Sequence, residues 1–216
     1  MNHYTELSLP RLPRASALRL IDQLTAPEQR FARCFERYWR EVVKLDAEGA
    51  ARATAEELAA ANAMLCASLN DACFQTIGVM HDLGYEPVGL YAVRALAAHP
   101  VGAKLAKALG ASSERRGIVH ALAIRDDHGG LTALRTAFIN IARRAEERGF
   151  DVLYFYSSDH RLAGVYRHFG MEFSEELALP ESGHLVGRYA LRGEAHQRRM
   201  REIADGLGRG ELTVAA

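Results

Sequence analysis

An apolar run, Gly117 to Ile124, leads into the polar loop Arg125-Asp-Asp-His-Gly-Gly130, and the loop opens a helical pattern at Leu131. Such a loop exposes backbone N–H groups at the positive end of a helix dipole. That suits an anion such as a pyrophosphate or a phosphopantetheine phosphate. Gly129 and Gly130 let the backbone approach the anion with no Cβ in the way. A glycine pair before a helix also makes an ordinary strand-to-helix turn, so the loop alone leaves both readings open. His120 stands inside the apolar run. It is either a satisfied core histidine or a neutral imidazole able to take a proton from an amine, directly or through water. Tyr166 lies at the edge of the apolar stripe of a short helix, where its ring packs inward and its hydroxyl can reach a cleft. His120 and His128 are a pair without nearby thiolates, so no metal is expected.

These residues need a sheet to hold them. Leu131, Leu134, Phe138, Ile141 and Ala145 recur at three- and four-residue spacing, predicting a helix from Leu131 to Arg148 that Gly149 stops. Phe150 to Tyr156 is a second apolar strand. Two apolar runs bracketing one amphipathic helix predict parallel neighbours joined by a right-handed crossover. Ser157-Ser-Asp159 caps a short helix with Leu162, Val165, Tyr166 and Phe169 on one face, ended by Gly170.

Upstream, Tyr4 to Leu9 reads as an edge strand. Thr25-Ala-Pro-Glu28 and Thr54-Ala-Glu-Glu57 are capping boxes that open two helices. Cys73 to Met80 and Pro87 to Val93 read as strands joined by a turn, and Ala97 to Arg116 as a helical insertion or long loop. Weaker strands fall around Met171 to Leu179 and His184 to Leu191. The charged, then glycine-rich tail from Glu194 is expected to fray. The order β-α-α-β-β-β-α-β-α-β-β predicts an α/β (α+β) domain over residues 1–193 followed by a tail, 194–216.

Composition narrows the function classes. The 216 residues suffice for one large domain with its own core. Lys and Arg number 27, as do Asp and Glu, so no basic excess is present to displace counterions from nucleic acid. Cys34, Cys66 and Cys73 show no paired spacing and read as reduced thiols of a cytoplasmic protein. The N-terminal residues lack the pattern of a signal peptide, and no apolar run approaches the roughly 20 residues that span a bilayer. A homodimer is the default expectation for assembly.

Asp159-His-Arg-Leu-Ala-Gly-Val-Tyr-Arg-His-Phe-Gly-Met171 resembles the signature of the GNAT acyltransferases, near their N-acyl amino acid synthase and autoinducer synthase relatives. Tyr166, Phe169 and Gly170 fall in that pattern, Asp159 stands at the usual Asn, and Met171 replaces an aromatic with Phe173 close by. The order of elements matches the fold up to Leu191. The resemblance implies a mostly antiparallel, mixed sheet flanked by helices, whose two central parallel strands splay apart. It implies a donor, acyl-coenzyme A, lying in the gap against Leu122, Ala123 and Ile124. Its phosphates would meet Arg125, His128, Gly129, Gly130, Leu131 and Thr132, with Asp159 nearby. Tyr166 becomes the general acid for the leaving thiolate and His120 the candidate base, in an N-acyltransferase acting on an amine. The acceptor pocket would be shaped by the first two helices and Ala97 to Arg116.

One departure bears on the donor. Asp127 stands where the family has Arg or Gln, and Thr132 where it has Gly or Ala. Asp126 and Asp127 should repel a pyrophosphate, with Arg125 and His128 offsetting them. This keeps open two alternatives: a longer-chain N-acyltransferase whose donor is an acyl carrier protein carrying phosphopantetheine, and a non-catalytic binding protein.

Overall fold

The computed structural model describes residues 4–8, 13, 15–16, 19, 78–84, 87–124, 130–157, 162–173 and 185–209. The two helices expected from the capping boxes lie outside the described residues. Six strands form one sheet in chain order. They are β1 (Thr5–Ser8), β2 (Gly78–His81), β3 (Pro87–Ala95), β4 (Arg116–Ile124), β5 (Val152–Ser157) and β6 (Leu185–Ala190). Every neighbouring pair is antiparallel except β4 and β5, which are parallel as expected for a β-α-β crossover.

Helix α1 (Pro100–Leu109) follows a single 3-10 turn, Leu96–Ala98. Helix α2 (Leu131–Glu147) joins the two parallel strands, α3 (Leu162–His168) follows β5, and α4 (Gly193–Arg209) closes the described chain. The expected insertion after Ala97 therefore holds a true helix. Gly149 (φ 73°) and Gly170 (φ 84°) end α2 and α3 in the left-handed region, where a missing Cβ removes the steric cost.

Two apolar layers sandwich the sheet. On one face Phe138, Ile141 and Ala145 of α2 pack with Val119, Leu153, Phe155, Phe169 and Tyr189. On the other, Leu96 and Leu105 pack with Ile118, Val152, Tyr154 and Val186. Strand alternation produces this division: Val152 and Tyr154 face one layer, Leu153 and Phe155 the other.

One reading of the sequence needs correction. The segment from Glu194, expected to fray, is most of α4. Its Ile203 is buried, and its buried His196 lies 2.9 Å by Nδ1 from the Tyr189 hydroxyl and 3.1 Å by Nε2 from Glu146 Oε1. Since a carboxylate only accepts, Nε2–H donates to Glu146 and Tyr189 donates to Nδ1. Burial pushes the Tyr189 hydroxyl up to about 12, so it keeps its proton. A charged-looking sequence concealed an amphipathic face with a polar clasp. The strand expected around Met171 to Leu179 lies mostly outside the described residues; within them Glu172 forms an isolated antiparallel bridge with Arg188.

The N-terminal strand is tied down by charge. Glu6 of β1 accepts from the Tyr91 hydroxyl, from Arg144 Nε at 2.6 Å and from Arg143 at 3.2 Å. Burial, with Glu6 beside it, pushes the Tyr91 hydroxyl far above the ordinary phenol range, so it stays protonated and donates.

Candidate active site at the splayed strands

The β4–β5 ladder is short. It pairs Arg116 with Val152, Gly117 with Leu153 and Ile118 with Tyr154, and then stops. Beyond that point β4 continues to Ile124 along β3, and β5 continues to Ser157 along β6. The strands therefore diverge, leaving facing edges without ladder hydrogen bonds to each other. Backbone amides on such edges require partners, and an extended ligand with its own amides can supply them.

A bulge marks the point of divergence. Ala92 pairs with Ala121, but Val93 pairs with Val119, so His120 is the extra residue of β4. The insertion reverses the alternation of the strand. Val119 lies on the α2 face before the bulge, and Leu122 and Ile124 lie on the same face after it. Ala123 pairs with Leu90. The expected base therefore occupies an irregular position where the cleft begins, which its place in an apolar run did not reveal.

At the wide end of the cleft stands the start of α2. Gly130 is its N-cap, with no side-chain cap hydrogen bond and no acidic residue in the first turn. Leu131 and Thr132 form that turn, half-buried. Among the described residues no capping side chain neutralises its leading N–H groups or the helix dipole, the condition that favours an anion. Gly130 is extended, at φ −161°, so its conformation does not itself demand glycine. Buried Arg135 lies four residues along, about 6 Å down the axis. It donates to the Gly206 carbonyl at 2.9 Å and adds a fixed positive charge near the helix start. Burial, Arg135 and Arg199 hold the His168 imidazole below its ordinary pKa. Arg125, His128, Gly129 and Asp159 lie outside the described residues.

Tyr166 sits on α3, half-buried. Its ring lies 5.8 Å from that of Phe155 and 6.4 Å from that of Phe173, nearly parallel to the latter. Phe155 is the first β5 residue past the last β4–β5 pair, so Tyr166 flanks the narrow end of the cleft from the α2 side. Tyr156, next on β5, turns to the opposite layer. Its hydroxyl lies 3.2 Å from Nε2 of His99, which is fully buried. Sequence reasoning missed this pair. Histidine is an uncommon N-cap, and the strand register that brings Tyr156 to it is a tertiary fact. Among the described residues no group of three metal-ligating side chains occurs, and no helix is long and apolar enough to cross a membrane.

The sequence matches no family model and no curated protein. Solved structures do match. An uncharacterized protein from Bacillus halodurans aligns at 12% identity and TM-score 0.61, over 95% of this chain and 92% of that one. PH1933 from Pyrococcus horikoshii aligns at 12% identity and TM-score 0.53, over 87% and 98%. BjaI, a coenzyme A-dependent acyl-homoserine lactone synthase solved with SAM and isopentyl-CoA, aligns at 12% identity and TM-score 0.57, over 96% and 90%. At this identity the likeness is one of architecture: the chain has the GNAT fold, in a form shared with an acyl-homoserine lactone synthase.

Proposed function

We propose that this protein is an N-acyltransferase that moves an acyl group from acyl-coenzyme A to an amine. The observation that carries the reading is the end of the β4–β5 ladder at Ile118 and Tyr154, which opens a cleft lined by strand edges beside a helix start that its N-cap residue, Gly130, leaves without a side-chain cap. The pantetheine arm lies in the cleft and pairs with those edges. The phosphates meet the first turn of α2, drawn by its dipole and by Arg135. The thioester then lies at the narrow end, next to the bulge at His120. The amine nitrogen attacks the carbonyl carbon, the C–N bond forms and the C–S bond breaks. His120 takes the proton lost by the amine, and Tyr166 gives its proton to the leaving thiolate. An acyl carrier protein donor was suggested by Asp126 and Asp127. Arg135 supplies a compensating charge, and the fold is shared with a coenzyme A-dependent synthase, so coenzyme A is the better-supported donor.

Thermal melts with acetyl-, octanoyl- and palmitoyl-coenzyme A, and with an acylated carrier protein, test the reading. A ligand held only by the native state at 100 times its Kd stabilises by about 2.7 kcal/mol, an easily read rise in midpoint. A rise with one or more coenzyme A esters is expected. Unchanged melts with all of them overturn the proposal, and a rise with the carrier protein alone reassigns the donor.

A further inference from the structure

We infer that the groove between α2 and α4 is a second binding site, separate from the donor cleft, for a small amphipathic carboxylate such as a medium-chain fatty acid. The two helices run antiparallel and are tied at two places. Arg135 of α2 donates to the Gly206 carbonyl of α4, and Glu146 of α2 accepts from His196 of α4. Beside the second tie lies a cavity of about 570 Å³ lined by both helices. That volume falls within the roughly 300–1,000 Å³ of small-molecule sites. The cavity sits towards the C-terminal end of α2. Its Arg143 is about 18 Å along the helix axis from Leu131, where the donor phosphates are placed.

Helical spacing builds the lining. Ile139, Arg143 and Glu146 fall on one stripe of α2, and His196 and Met200 on the facing stripe of α4. Ile139, Met200 and Leu191 supply an apolar floor, while Arg143, Arg192 and Arg201 stand around it. Leu191 is buried, but Ile139 and Met200 are only half-buried. A hydrocarbon chain laid on that floor removes apolar surface from water, which favours binding.

The charge in the groove is unbalanced. Glu146 is the one carboxylate among the lining residues, and buried His196, held on its inner side by the Tyr189 hydroxyl, engages it. Among the described residues no arginine pairs with Glu146. Arg143 reaches to Glu6 and Asn140, and Arg192 to Asp151, each through Nη2. Among the described residues the other nitrogens of these two forks carry no hydrogen bond, and Arg201 has neither an ion pair nor a hydrogen bond. One uncompensated guanidinium therefore stands beside an apolar floor, with two partly open forks near it. That arrangement is complementary to one negative charge on an apolar body. A carboxylate fits, because its two oxygens match the paired N–H groups of a guanidinium. A free phosphate brings surplus charge and no chain to cover the floor.

The test uses the full chain labelled with carbon-13 at the methionine methyl groups. The Met200 signal, assigned by its loss in Met200→Leu, reports on the floor of the groove. Octanoate should shift it saturably, and hexanoate should bind more weakly, by up to about fourfold for each methylene removed. Octan-1-ol has the chain without the charge, and acetate the charge without the chain. Both, and inorganic phosphate, should leave the signal in place at the same concentrations. Arg201→Gln should weaken octanoate binding about tenfold, the effect of one charge-assisted hydrogen bond. Arg198→Gln, on the same helix but outside the groove, should leave it unchanged. Both arginines are exposed, so both variants should fold. The inference is overturned by a Met200 signal that octanoate does not move. It is overturned equally if octan-1-ol, acetate or phosphate moves that signal as strongly, or if Arg201→Gln binds octanoate as well as the wild type does. The readout is local to α4, so none of these results depends on the acyltransferase reading.

Discussion

Replacing Glu6 with Ala should unfold the protein far more readily than the loss of an ordinary surface charge. Glu6 is 14% exposed and its partner Arg144 only 9% exposed, whereas Arg143, on the other carboxylate oxygen, is 55% exposed. The Arg143 bridge contributes at most about 1 kcal/mol, because solvent screens it. The Arg144 bridge differs. Removing its counter-charge strands a guanidinium away from water, which costs about 3–5 kcal/mol. The Tyr91 hydroxyl loses its acceptor at the same time. Glu6 lies on an edge strand where water can enter, so the low end, about 3 kcal/mol, is expected. At about 2–4 °C per kcal/mol for a chain of this size, the midpoint should drop by roughly 6–12 °C. Urea titration followed by circular dichroism measures the change. A combined Glu6→Leu, Tyr91→Phe, Arg144→Met variant replaces the whole network with apolar groups, and should recover to within about 1 kcal/mol of the wild type. A loss below about 1 kcal/mol in Glu6→Ala would show that Arg144 finds solvent or another anion, and would refute the reasoning.

Tyr166→Phe keeps the ring against Phe155 and Phe173, so stability and donor affinity should hold while turnover falls roughly 10²–10⁴-fold; full activity removes Tyr166 as the acid. Gly130→Val should fold normally, since the extended backbone there accepts any residue. Its branched side chain should nevertheless weaken coenzyme A binding in calorimetry, and equal affinity would move the anion site elsewhere. His168 is held below the ordinary imidazole value of 6.5 by burial, Arg135 and Arg199. As pH falls through that value, the unfolded chain binds the proton first, so stability is lost towards acid. The effect should be small because the ring is largely exposed, and His168→Asn should flatten it in urea midpoints compared at about pH 7.5 and about pH 5.5.

The parallel strand pair and its crossover helix were legible because they are local and strongly patterned. The period of Leu131 to Ala145 and two continuous apolar runs specify them with little outside help. The end of the ladder after Ile118 was not legible, since divergence of two strands leaves no mark on their alternation. The GNAT resemblance supplied that expectation, and the register bore it out. The bulge at His120 was hidden for a related reason. In a strand covered on both faces every residue is apolar, so a reversal of alternation changes nothing in the pattern. The α4 face escaped notice because its burial rests on His196 and a few apolar positions among many charges. Tyr156 and His99, 57 residues apart, meet only through the packing of α1 under the sheet.

Because the strands lie in chain order, the sheet can assemble by adding each strand to the one made just before it. The exception is the join between β1 and β2, which closes a span from Ser8 to Gly78. Chain-closure entropy makes that the costliest step and assigns it to a late stage of folding. The cleft between β4 and β5 uses none of it: β3 to β6 and the helices between them form one continuous stretch of chain. Partial opening should therefore release β1 first, with amide protons of Thr5 to Ser8 exchanging well before those of Gly117 to Val119. An exchange-competent species that has lost its edge strand would still carry an intact cleft.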